Sequence, residues 1–152
     1  MIYLLDVNVL LALRYVPHTL HARAMTWLSG LTTAEQSPRL ATCSLTELGF
    51  IRVASGPAGW AQGVSLAIED LQKIKDERPM SFLNDDVPGH DLPDWVRKPK
   101  HVTDGHLLRL AAKHGGVLVT LDRGIPGATL IPEVEHNHPS VHEPFHPYGV
   151  AA

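Results

Sequence analysis

The stretch Met1–Arg14, MIYLLDVNVLLALR, constrains the fold more than any other part of the chain. Ile2 to Leu5 is a continuous apolar run, too short for a free-standing helix, and reads as a buried strand. Asp6 ends the run, Asn8 follows two residues on, and Val9, Leu10 and Leu13 then recur at helical spacing. A carboxylate at a buried strand end is costly unless it is paired or binds a metal. Asp6 is therefore either the N-cap of the next helix or a ligand.

The same alternation continues downstream. After a helix closed by Pro17, the pattern predicts a second helix over His18–Leu28, with Leu20, Ala24, Trp27 and Leu28 as its apolar face and Gly30 as its stop. A short strand is expected over Arg39–Thr42, then a helix over Ser44–Val53 with Leu45, Leu48, Phe50 and Ile51 inward. The longest helical pattern is Ala58–Arg78, through Val64, Ala67, Ile68, Leu71 and Ile74, followed by a short strand at Met80–Leu83. Asn84–His101, interrupted by Pro88, Pro93 and Pro99, reads as a loop anchored by Trp95. Thr103 is placed to N-cap a helix reaching His114, stopped by Gly115-Gly116. Val117–Leu121 is a strongly apolar strand, and Ala128–Ile131 a last one. Strands that alternate with helices pair in parallel, so the predicted class is α/β, a three-layer α/β/α sandwich around a central parallel sheet.

Length and composition bound the remainder. A chain of 152 residues that is 44% hydrophobic suits one globular domain. Residues 1–132 are expected to form it. Residues 133–152, a His/Pro-rich tail with His136, His138, His142 and His146, are expected to be poorly ordered. Pro139 interrupts the one helical His pair there, which argues against a zinc site. No apolar run is long enough to span a membrane, and an apolar start carrying Asp6 does not read as a signal peptide. The lone Cys43 excludes an internal disulfide and agrees with a reducing cytoplasm. A net charge of −3 argues against a broad basic surface for nucleic acid, although acids gathered on a cation would weaken that inference.

In a parallel sheet, sites form beyond the carboxyl ends of the strands, at a switch in strand order. Asp6, Glu47 and Asp122 each follow a strand and converge there by topology. Asp104, at the start of the helix leading into the Val117 strand, joins them if the preceding loop returns to the same side. Each acid has an ordinary alternative. Glu47 can close a capping box with Ser44, Asp104 can complement the helix dipole, and Asp122 before Arg123-Gly124 can be a turn residue. Together, however, such carboxylates repel one another unless a cation intervenes. Oxygen-only donors select a hard ion such as Mg²⁺ or Mn²⁺.

The segments LLDVNVLLAL, SLTELGFIRV and TDGHLLRLAAKHGGVLVTLDRG resemble PIN domains, in particular the VapC toxins of toxin–antitoxin pairs. The resemblance runs to about Ile131 and leaves the tail outside. It implies a Mg²⁺- or Mn²⁺-dependent endoribonuclease, held inactive by a cognate antitoxin and often dimeric. By the same resemblance Asp6, Glu47, Asp104 and Asp122 are the acids, the first, third and fourth of them metal ligands, with Asn8 and Thr120 in support. Gly105 stands where relatives usually carry Ala.

Arg14, Arg52 and Arg123 are candidates to contact phosphate or an acidic antitoxin segment. Trp27, Trp60 and Leu66 are candidates to line an antitoxin groove, the alternative being that they are core. Three other readings compete. A haloacid-dehalogenase-type phosphatase needs a second acid where Asn8 stands. A phosphotransfer receiver needs an Asp and a Lys where Thr42-Cys43 and Thr120-Leu121 stand. A non-catalytic PIN-like binding module would not need the acid set.

Overall fold

The computed structural model describes residues 1–32 and 37–135. The His-rich tail, from His136 on, lies outside the described residues. The elements run β1 (Ile2–Leu5), α1 (Val7–Arg14), α2 (His21–Thr32), β2 (Arg39–Cys43), α3 (Ser44–Ala54), α4 (Val64–Glu77), β3 (Ser81–Leu83), α5 (Val102–Lys113), β4 (Gly116–Thr120) and β5 (Thr129–Leu130). All pairings are parallel, in the order β3-β2-β1-β4-β5. The strand order reverses between β1 and β4, so the two strands that carry Asp6 and Asp122 lie side by side at the switch.

Successive residues on the central strands pack to opposite faces, as the period of two requires. Leu5, Leu40 and Val119 join Val9, Leu10, Phe50, Ala67 and Leu71 beneath α1–α4. Leu4, Ala41, Cys43 and Leu118 join Leu107, Leu110 and Ala111 beneath α5. The result is the expected three-layer sandwich, with four helices on one face and α5 on the other. Cys43 is buried and free.

Several local expectations change. Gly30 does not stop α2, which continues to Thr32. A single helical glycine costs only about 1 kcal/mol, and the packing of Leu28 and Leu31 on the core outweighs it. α4 starts at Val64 rather than Ala58, because Gly63, at φ +100°, ends the preceding turn in a backbone that L side chains rarely adopt. Thr103 does not cap α5. A 3₁₀ turn at Pro99–His101 leads straight into the helix, and Thr103 is exposed in its first turn.

The inward faces of α3 and α4 are also shifted. α3 buries Thr46, Gly49, Phe50 and Ala54, while Leu48 is 63% exposed and Leu45 37%. α4 buries Ala67, Leu71 and Ile74 but leaves Val64, Leu66 and Ile68 outside. The cause is close approach between helices. A β-carbon at Gly49 would lie 2.5 Å from Val7 Cγ2, so α3 turns its smallest residue, not its leucines, toward α1. Tyr15 OH and Arg14 both donate to Asp70, at 2.8 and 2.6 Å, and tie α1 to α4. Trp27 stacks on Tyr3 in the core, and Trp60 stacks on Tyr15. Of the three predicted groove residues, only Leu66 stands clear of such packing.

Gly49→Ala should therefore cost about 1–3 kcal/mol by overpacking against Val7. Gly30→Ala, with nothing within 4 Å of the new methyl, should gain about 0.5–1 kcal/mol. Urea midpoints at unchanged m-value measure both, and equal effects would show that the α1–α3 contact is not tight.

Candidate active site

Asp6 is the N-cap of α1, and it stands where the β1 and β4 strand ends meet. Its backbone is extended (φ −64°, ψ 157°), and its Oδ1 accepts from the Val7 backbone N–H at 2.8 Å, capping α1. Its backbone N–H donates to Val119 O at 2.9 Å, carrying the β1–β4 pairing one residue past the strand. Thr120 Oγ1 donates to Asp6 Oδ2 at 2.7 Å in a fully buried bond. The side chain is 7% exposed. Burial pushes its carboxyl above the ordinary range, the bonds from Thr120 and Val7 pull it back, and the charge of Asp122 raises it further.

Thr120 also receives the Asp122 backbone N–H at 3.0 Å, so one hydroxyl links both acids. Asp122 Oδ1 accepts from Gly124 N at 2.7 Å, which makes it a turn residue as well. Asp104 lies in the first turn of α5, half-buried. Its carboxyl is raised by burial, then by the charges of Asp6 and Asp122, with His101 lowering it. Asp122 thus acts on Asp6, and both act on Asp104, across the switch point. The loop does bring α5 back to the carboxyl edge.

Glu47 is differently engaged. It accepts from Thr42 Oγ1 and from Lys75 Nζ, each at 2.6 Å. It forms no capping box with Ser44; that exchange runs between Cys43 and Thr46, whose Oγ1 accepts from Cys43 N at 3.0 Å. Asn8 is exposed on α1, and among the described residues no hydrogen bond joins it to the acids. Arg14 is spent on Asp70 and Arg123 on Glu133, whereas Arg52 is exposed and without an ion pair among the described residues.

Sequence reasoning missed two features of this edge. His106, two residues after Asp104, is buried and its Nε2 lies 2.8 Å from Asp85 Oδ1, tying the loop after β3 to α5. The cationic run Arg97-Lys98-Pro99-Lys100-His101 sits immediately before Asp104 and was legible as a charge pattern.

Among the described residues, no three His, Cys, Asp or Glu side chains form a ready-made metal cage. The donor set nevertheless fits a hard divalent ion. Mg²⁺ keeps several waters and takes one or two carboxylates plus phosphate oxygens rather than an all-protein cage. The charge of Asp122 on Asp6, and of both on Asp104, is a repulsion that such a cation would relieve.

The chain is similar to three curated proteins of Mycobacterium tuberculosis. It is 41% identical to ribonuclease VapC38 over 126 residues, covering 80% of this chain and 86% of that protein. It is 38% identical to ribonuclease VapC44 over 136 residues, covering 83% and 93%. With ribonuclease VapC39 the identity is 37% over 128 residues, covering 80% and 89%. No family model matches the chain.

The electrostatics carry a sign that can be checked. Above the pH at which an unfolded carboxyl ionises, but below Asp104's raised folded value, the folded chain holds a proton that the unfolded chain has lost. Stability contributed by Asp104 therefore falls as pH rises through that window. In EDTA, Asp104→Asn should melt above wild type at pH 7, with the gap closing as the pH is lowered into the acid range. A variant that melts at or below wild type at pH 7 would mean the three charges do not oppose one another.

Proposed function

The chain belongs to the VapC family of PIN-domain ribonucleases, and on that premise we propose that it is the toxin of a toxin–antitoxin pair. In this reading it is a cytoplasmic endoribonuclease that hydrolyses RNA phosphodiester bonds with Mg²⁺ or Mn²⁺. The observation that carries the reading is the meeting of Asp6, Asp104 and Asp122 at one switch point, where Asp122 raises the carboxyl of Asp6 and both raise that of Asp104. Carboxylates so placed cost stability by themselves and favour a bound cation.

A divalent cation bound there supplies Lewis-acid polarisation of the phosphate and makes water more acidic. The chain's own residues supply the orientation. Thr120 fixes one oxygen of Asp6 and the backbone of Asp122, so the two acids keep a set spacing. Asp6 is further fixed by the Val7 N–H, which leaves its remaining lone pairs for the ion. Asp104 has no side-chain hydrogen bond among the described residues and is free to turn toward a ligand. Glu47 holds Thr42 and Lys75 with one oxygen, Oε1, and would join the set through the other. Asn8, exposed at the start of α1, is assigned to orienting these groups.

The proposed partners are RNA, a cognate antitoxin and a second copy of the chain. Support for a protein partner comes from the apolar side of α3. Leu45, Leu48, Ile51 and Val64 line a cleft of about 620 Å³, with Arg52 beside them. No helix among the described residues is long and apolar enough to cross a membrane.

Asp6→Asn should abolish RNA cleavage in Mg²⁺ or Mn²⁺ while the chain stays folded, and excess EDTA should abolish it in the wild type. Full activity in either case, or turnover of p-nitrophenyl phosphate without RNA cleavage, would overturn the reading. Leu48→Glu should shift the chain toward monomer in light scattering at unchanged cleavage-competent fold. An unchanged mass distribution would remove the second copy from this face.

A further inference from the structure

The three acids that make the site also repel its proposed substrate. A phosphate approaching Asp6, Asp104 and Asp122 meets negative charge on a chain whose net charge is already −3. At physiological salt, exposed charges act over about 8 Å, so cations must lie close to the site to offset this.

Most basic side chains are already engaged. Arg14 and Lys73 face Asp70, Lys75 faces Glu47, Arg109 faces Asp91, Lys113 faces Asp86 and Arg123 faces Glu133. Arg23 donates to the backbone carbonyls of Ile131 and Pro132. Among the described residues, Arg39, Arg52, Arg78, Arg97, Lys98 and Lys100 are without an ion pair. Arg39 and Arg78 line one pocket at the amino edge of the sheet, away from the acids. Arg97, Lys98 and Lys100 stand together, exposed, in a stretch with no acid between Asp94 and Asp104.

Local packing holds that stretch against the site. The 3₁₀ turn at Pro99–His101 feeds directly into α5, and Trp95 meets His101 edge-on at 5.9 Å, closing the segment on itself. Val96 seats against Gly105, where a β-carbon would overlap its Cγ2 and lie 3.1 Å from Pro93 Cδ. The residue next to Asp104 is thus a glycine where the resemblance leads one to expect alanine, and its missing methyl is what lets the cationic segment sit so close. His101 is near enough to act on Asp104's charge.

We propose that Arg97, Lys98 and Lys100 form a track that binds the phosphate backbone of single-stranded RNA and delivers it to the carboxylates beside Gly105. This rests on the endoribonuclease reading and adds where the substrate lies. Backbone contacts of this kind give affinity and salt dependence without sequence choice.

The test compares Arg97→Ala/Lys100→Ala with Arg39→Ala/Arg78→Ala, which removes the same charge from the opposite edge. Binding of a fluorescein-labelled single-stranded RNA to the full chain is followed by anisotropy in EDTA over a salt series, and cleavage kinetics are measured in Mg²⁺. The first variant should bind at least several-fold more weakly, with its log Kd–log salt slope reduced by about 1.4, as two lost single-strand phosphate contacts predict. Its KM should rise with kcat little changed, and the amino-edge variant should match wild type. Equal losses in both variants, or unchanged affinity and KM in the first, would overturn the track while leaving the nuclease reading intact. So would a first variant that loses only the binding of an acidic antitoxin segment. A wild-type chain that neither binds nor cleaves RNA would overturn the nuclease reading, and the track with it.

Discussion

The buried hydrogen bond from Thr120 to Asp6 joins the ends of β1 and β4 at the place where the strand order reverses. A parallel sheet splays its crossover helices to opposite faces at such a point, and the crevice between them is where side chains can meet a ligand. Here two of the acids, Asp6 and Asp122, follow the paired strands β1 and β4. Asp6 cannot drift, because its N–H is the next rung of the ladder to Val119 and its carboxylate is held from two sides. Asp122 cannot drift far, because the same hydroxyl receives its N–H. The helices, by contrast, bring Asp104 and Glu47 with more freedom.

That arrangement sets electrostatics against stability. Asp6 is nearly buried, and its two hydrogen bonds only partly offset the desolvation and repulsion that raise its pKa. Glu47 escapes the conflict by pairing with Lys75 and Thr42. The difference is one of position: Glu47 points along α3 toward α4, where a lysine is available, whereas Asp6, Asp104 and Asp122 face one another. Carboxyls raised by burial and by like charge in this way concentrate at functional sites.

The exposed side of the molecule follows a similar division. α3 and α4 each have more apolar residues than their contact with the core can bury, and close approach at Gly49 decides which ones go inside. Leu45, Leu48 and Val64 are left on a surface that suits a protein partner. The cations divide too. Those on helices mostly neutralise nearby acids, while among the described residues Arg97, Lys98 and Lys100 before α5, and Arg52 across a cleft from Thr103, are without an ion pair.

Much of the architecture was legible in the sequence, because the signals are local. The apolar runs at Ile2–Leu5 and Val117–Leu121 can only be buried strands, and helical spacing between strands dictates parallel pairing. Asp6, Asp104 and Asp122 could be named as meeting at one edge, since the carboxyl ends of parallel strands share it. What only the tertiary structure decided depends on neighbours distant in the chain. Periodicity cannot say which side of an amphipathic helix is inward when a glycine on that helix meets Val7 across forty residues of sequence. It could not show that Glu47 would be claimed by Lys75, or that Thr120 would hold both acids with one hydroxyl. Nor could it show that Gly105 makes room for Val96, since a missing methyl has meaning only once something is packed against it.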